Sequence, residues 1–181
     1  MFGVQLDASE EFSLFLRVPG WARSPAVYVN GAEIGEVVPG SYAEIRREWA
    51  SGDELAIEWD DRPFYVESDA RLASNRGSVA IQRGPIVYCV EGVDNAGVDL
   101  FDVAVDPSER LGWSHRDDLL GGVTVVTARG TVGPRSGGPL YRRVGAPAEP
   151  GTPVDLTAIP YYAWANREPA PMTVWLRSTR G

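Results

Sequence analysis

The sequence predicts an all-β protein built as two small antiparallel β-sandwich modules in tandem, residues 1–67 and 68–181. Three observations carry that reading. Apolar residues recur with period two in segment after segment, and no stretch keeps a helical period for three turns. Glycine, proline and Asn-Gly pairs punctuate those segments at strand-length intervals. The pattern also breaks once, in the charged and irregular stretch "DRPFYVESDARLASNRG", and then resumes, which places a module boundary near residue 67.

Taken in order, "FSLFLRVPGW" sends Phe12, Leu14, Leu16 and Val18 to one face, and Pro19-Gly20 ends the strand because proline cannot donate to a ladder. In "AVYVNGAEI" the pair Asn30-Gly31 predicts a two-residue hairpin turn, since both residues tolerate positive φ. "GSYAEIRREW" and "DELAIEWDD" follow as strands joined by Ala50-Ser51-Gly52-Asp53, with Leu55, Ile57 and Trp59 on one face. In the second module "SVAIQRGPIVYCVEG" reads as strand, Asp94 to Trp113 as loop, short strand and loop, and "GGVTVVTARGTV" as a β-branched strand. "GPRSGGPLYRRVGAPAEPGTP" reads as an exposed connection, and "VDLTAIPYYAWANR" with "MTVWLR" as the closing strands. The expected cores are Phe12, Leu14, Leu16, Leu55 and Ile57 in the first module and Val79, Ile81, Val87, Cys89 and Val125 in the second.

Composition narrows the function. At 181 residues, 44% hydrophobic and 23% charged, the chain is globular. A formal charge of −8 argues against a nucleic-acid partner, which needs a cationic footprint. No run of about 18 apolar residues predicts a membrane span. The opening residues show no basic leader with an apolar h-region, which leans the expected compartment to the cytoplasm. All 17 basic residues are arginine, read as the codon bias of a GC-rich bacterial genome.

Chemistry is sparse. The one histidine, His115, lies beside Asp117 and Asp118 in "GWSHRDDLLGG", but sequence neighbours rarely assemble a triad, and a solvated loop is the expectation. Asp60-Asp61 and Asp117-Asp118 are adjacent pairs, which on a strand face opposite sides instead of flanking a glycosidic bond. The single cysteine, Cys89, sits in an apolar run and reads as a buried, idle thiol. Aromatic residues leave a sugar-stacking surface open at Trp21, Trp113, Tyr161, Tyr162 or Trp164. Tyr161 and Tyr162 would point to opposite faces of a strand, so one of them is expected in the core.

Three stretches together, "LFLRVPGWA…VYVNG", "NRGSVAIQRGPIVYCVEGVDN" and "LTAIPYYAWANREPAPMTVWL", resemble the C-terminal part of glycoside hydrolase family 127, the β-L-arabinofuranosidase-like enzymes. The resemblance implies a region that follows a large (α/α)6 catalytic barrel, with a middle and a C-terminal β-sandwich module. It places the cysteine nucleophile, the zinc and its cysteine and glutamate ligands, and the acid/base carboxylate in the barrel. No catalytic, metal or cofactor residue is therefore expected here, and Cys89 is not the nucleophile. The expected partner is the protein's own N-terminal catalytic barrel, with a glycan as the alternative. The expected contact residues are Tyr161, Tyr162, Trp164, Asn166 and Arg167, with Asn166 and Arg167 making turn or interface hydrogen bonds.

Overall fold

The computed structural model describes residues 1–133, 141, 143 and 151–180. Among these the chain is almost wholly strand and loop, with two single-turn 3-10 helices at Ala73–Asn75 and Tyr161–Ala163. None of its helices is long and apolar enough to cross a membrane. Two compact units meet in sequence between Asp61 and Arg62.

The first unit holds strands β1 (Phe2–Gly3), β2 (Glu10–Arg17), β3 (Arg23–Val29), β4 (Ala32–Glu33), β5 (Tyr42–Trp49) and β6 (Glu54–Asp60). One sheet runs β1-β6-β3-β4 and the other is the pair β2-β5. The Ala50–Asp53 turn thus carries the chain from one sheet to the other, and the inward faces of both close over Val27, Val29, Ile45, Trp49 and Leu55. Phe12, Leu14, Leu16 and Ile57 pack half-buried against that cluster. Trp49 is fully buried and satisfies its indole by donating to the Phe12 carbonyl at 3.1 Å. Between β3 and β4, Asn30 (φ 50°) and Gly31 (φ 78°) take the left-handed conformations the sequence foretold.

The second unit holds β7 (Phe64–Glu67), β8 (Ser78–Arg83), β9 (Ile86–Glu91), β10 (Val103–Val105), β11 (Gly112–Arg116), β12 (Val123–Val132), β13 (Thr152–Pro160), β14 (Met172–Thr173) and β15 (Leu176–Ser178). β7 pairs with β8, so the residues just before 67 belong to this unit. A four-residue strand after Pro63 is too short for alternation to reveal. Pairing runs β9-β13-β12-β10-β15-β8 and returns to β9, so the sheet closes on itself, with β10 and β15 parallel. Its strands send Val79, Ile81, Tyr88, Val90, Val103, Val105, Val126, Leu156 and Leu176 into one shared core. The opposite faces of β9, β12 and β13 carry Cys89, Val123, Val125 and Ile159, covered by Leu119, Leu120, Met172 and Val174. Strands buried on both faces read as continuous apolar runs, which is why "IVYCVE" lacks a clean alternation.

Three expectations are corrected. Val87 shares the Cys89 face but lies beyond the residues that cover it, and is 38% exposed. "GWSHR", read as loop, is the edge strand β11 on β12, its exposed side chains giving no apolar alternation. The closing strand β13 ends at Pro160, so the aromatic run beyond it is a turn, with consequences below. Most of the glycine- and proline-rich connection lies outside the described residues.

Candidate functional site

The aromatic run hangs from the end of β13, whose Ile159 is fully buried. From Pro160 the chain turns into the 3-10 helix Tyr161–Ala163, and only Ala163 of that turn is buried. With three residues per turn, positions i and i+3 eclipse. Tyr161 and Trp164 accordingly lie side by side, ring centroids 5.9 Å apart and planes within 12°. Neither tyrosine enters the core, contrary to the strand-based expectation: Tyr161 is 45% and Tyr162 67% exposed, and Trp164 is 42%. The three rings form an open ledge.

What fixes the ledge is charge from another strand. Glu91, at the end of β9, is 2% exposed. One of its oxygens accepts the Ala165 N–H at 3.2 Å and the other accepts from Arg167 Nη2 at 2.7 Å. Arg167 also forks onto Asp94, Nη1 to Oδ1 at 2.7 Å and Nη2 to Oδ2 at 2.6 Å. Hydrogen bonding first to Asp94 and then to Glu91 holds the guanidinium proton more tightly than usual, against the opposing effect of burial. Ala165 sits at φ 60°, a left-handed conformation that costs a non-glycine residue about 1–2 kcal/mol. The Glu91 carboxylate and Asn166, whose amide donates to the Ala163 and Trp164 carbonyls, hold it there. Asn166 and Arg167 thus make intramolecular bonds within this unit. Asn95, 4% exposed, donates to the carbonyls of Glu91 and Thr157 and accepts the Thr157 N–H. Glu91, Asp94 and Asn95 were missed as partners of the ledge. Their signal was a pair of carboxylates closing the apolar run "YCVEGVDN".

The remaining sequence candidates do not converge. His115 Nε2 meets Asp117 at 3.1 Å on an exposed surface, and Asp118 is taken by Arg116, which holds its carboxyl down at about 2. Asp60 pairs with Arg23 at 3.1 Å. Trp21 packs edge-on to Trp59, 5.2 Å between centroids, whereas Trp113 is 42% exposed on β11.

Zinc does not suit the residues present. Among the described residues no set of three or more His, Cys, Asp and Glu side chains is placed to hold a metal ion. Cys89 is 1% exposed, and burial, helped by Glu91 and Asp94, pushes its thiol up to about 12 from an ordinary 9.0. The folded state therefore keeps the proton the unfolded state gives up. The stability this contributes is whole below pH 9 and is lost as pH rises from about 9 to about 12. Native protein in iodoacetamide at pH 8 is expected to stay unalkylated by mass, taking up one adduct only after denaturation. Rapid modification of the native chain would contradict this placement.

Comparison with known proteins agrees with that geometry. Residues 1–60 match "Beta-L-arabinofuranosidase, GH127 middle domain" and residues 63–177 match "Glycoside hydrolase family 127 C-terminal domain". The non-reducing end β-L-arabinofuranosidase of Bifidobacterium longum subsp. longum is 37% identical over 180 residues, 94% of this chain but 26% of that protein. The crystal structure of a GH127 β-L-arabinofuranosidase from Geobacillus stearothermophilus T6 superposes with a TM-score of 0.86 at 38% identity, covering 97% of this chain and 28% of that one. A second solved glycoside hydrolase gives 0.82 at 30% identity, covering 94% and 28%. The chain belongs to glycoside hydrolase family 127, of whose members it carries the middle and C-terminal β-domains.

Proposed function

We propose that this chain is the noncatalytic β-region of a larger family 127 glycoside hydrolase, and that it packs on and stabilises an (α/α)6 catalytic domain. The observation that carries the reading is the mismatch of coverage: nearly all of this chain aligns with about a quarter of each relative. The open ledge of Tyr161, Tyr162 and Trp164 is the proposed contact, because exposed aromatic clusters mark interaction surfaces and this one is held rigid by buried charge. The test uses a family 127 catalytic domain produced without its β-region. Adding this chain is expected to raise that domain's melting temperature, and Tyr161→Ala with Trp164→Ala to abolish the gain. A melting temperature indifferent to the chain would reject docking.

A second reading, a carbohydrate-binding module that offers the ledge to arabinose-containing glycan, draws on the same exposed rings. Under the docking reading, Trp164 emission stays unchanged in a titration with methyl β-L-arabinofuranoside. A saturable shift that Trp164→Ala removes, at unaltered melting temperature, would favour sugar stacking on the ledge instead.

A further inference from the structure

On a separate part of the second unit, the loops Gly92–Phe101 and Glu168–Pro171 face each other across an open cleft of about 610 Å³. Small-molecule sites span roughly 300–1,000 Å³. Two buried clamps set its width. Gly92 donates its N–H to the Pro171 carbonyl at 2.8 Å, and a Cβ there would lie 3.2 Å from Pro171 Cδ, so the loops meet at a residue with no side chain. The Arg167 fork onto Asp94 ties the same two loops together a few residues away, and Asn95 fastens the first loop to β13 through Thr157. The cleft is thereby preformed.

Its lining has a definite chemistry. Phe101 is 66% exposed, and its backbone N–H is held by the Asp99 carboxylate at 3.0 Å, which fixes the loop that presents the ring. Pro169 and Pro171 add apolar ring surface, and Glu168 supplies an exposed carboxylate. No arginine lines the cleft among the described residues. Carboxylates without a cation repel anionic ligands. An aromatic ring and two prolines favour a ligand with an apolar C–H face, and carboxylates accept short, charge-assisted bonds from hydroxyl groups. A neutral sugar carries both features.

We infer that this cleft is a saccharide subsite that holds one or two neutral sugar residues, with Phe101 as the stacking surface and Glu168 as the hydroxyl acceptor. The ligand class rests on the glycan side of the family reading, and the site itself rests on the cleft. It is independent of the ledge, so a docked chain keeps it.

The experiment is a calorimetric and NMR titration of this chain with methyl β-L-arabinofuranoside and an arabinofuranose disaccharide, with L-arginine methyl ester as a cationic comparison. Saturable saccharide binding is expected. Phe101→Ala and Glu168→Gln should each weaken it by about tenfold or more, with the melting temperature unchanged because both side chains are exposed. Trp164→Ala should leave it intact. Binding insensitive to Phe101 and Glu168, binding lost with Trp164→Ala, or preference for the arginine ester would each overturn the inference. So would the absence of saccharide binding, which leaves the docking proposal to its own test.

Discussion

Replacing Arg167 by methionine is expected to lower the unfolding free energy of the second unit by about 3 kcal/mol, the low end of what breaking a buried ion pair costs. The low end applies because Arg167 retains 20% side-chain exposure. Methionine fills similar volume, so packing changes little. What changes is that Glu91 and Asp94, with side chains 3% and 14% exposed, are left as neighbouring carboxylates without a cation. The melting temperature should fall by on the order of 10 °C. Arg167→Lys should fall between, since an ammonium keeps the charge but lacks the planar fork that reaches both carboxylates. Adding Glu91→Gln and Asp94→Asn to the methionine variant should recover part of the loss by removing the uncompensated charge. Thermal denaturation of the four proteins decides it. A methionine variant within about 0.5 kcal/mol of wild type would show the cluster to be of little account.

This cluster also marks how far the sequence could be read. Period-two alternation and the Asn30-Gly31 pair were sufficient for the all-β class and the hairpin, because both are local consequences of side-chain direction and backbone sterics. Most expected core positions followed. Val87 failed because alternation tells which face a residue is on and not whether anything covers that face. The ledge was misread for a related reason. "YYAW" carries strand-forming residues, yet the chain leaves the sheet at Pro160, and what holds the turn in place is Glu91 and Asp94, some seventy residues earlier. The two motifs most specific to the family, "GPIVYCVEGVDN" and "IPYYAWANR", therefore belong together physically: the carboxylates of one neutralise the arginine of the other and fix the left-handed Ala165. Such long-range charge pairing leaves no periodic trace in either segment, so only the tertiary fold reveals it.

Supplied with zinc and an aryl β-L-arabinofuranoside, this chain is expected to release aryl alcohol no faster than buffer. The family resemblance points to a thiolate attacking the anomeric carbon, and this chain has one thiol, Cys89. With its pKa pushed up to about 12, only about one molecule in a hundred thousand carries a thiolate at pH 7. The sulfur is also enclosed with Val123, Val125 and Ile159 on the covered face of the sheet, where no sugar ring can approach along a line of attack. The nearest carboxylates cannot serve as proton donor and acceptor, because Glu91 and Asp94 are committed to Arg167. Enzymes accelerate such reactions by at least about a millionfold, and the residues that could supply any part of that factor are buried or paired. The assay compares wild type, Cys89→Ser and an intact family 127 enzyme as positive control, with and without added zinc. Equal background rates for wild type and Cys89→Ser are expected. Turnover that requires zinc and vanishes in Cys89→Ser would overturn the noncatalytic reading, since it would require a thiolate that the fold denies.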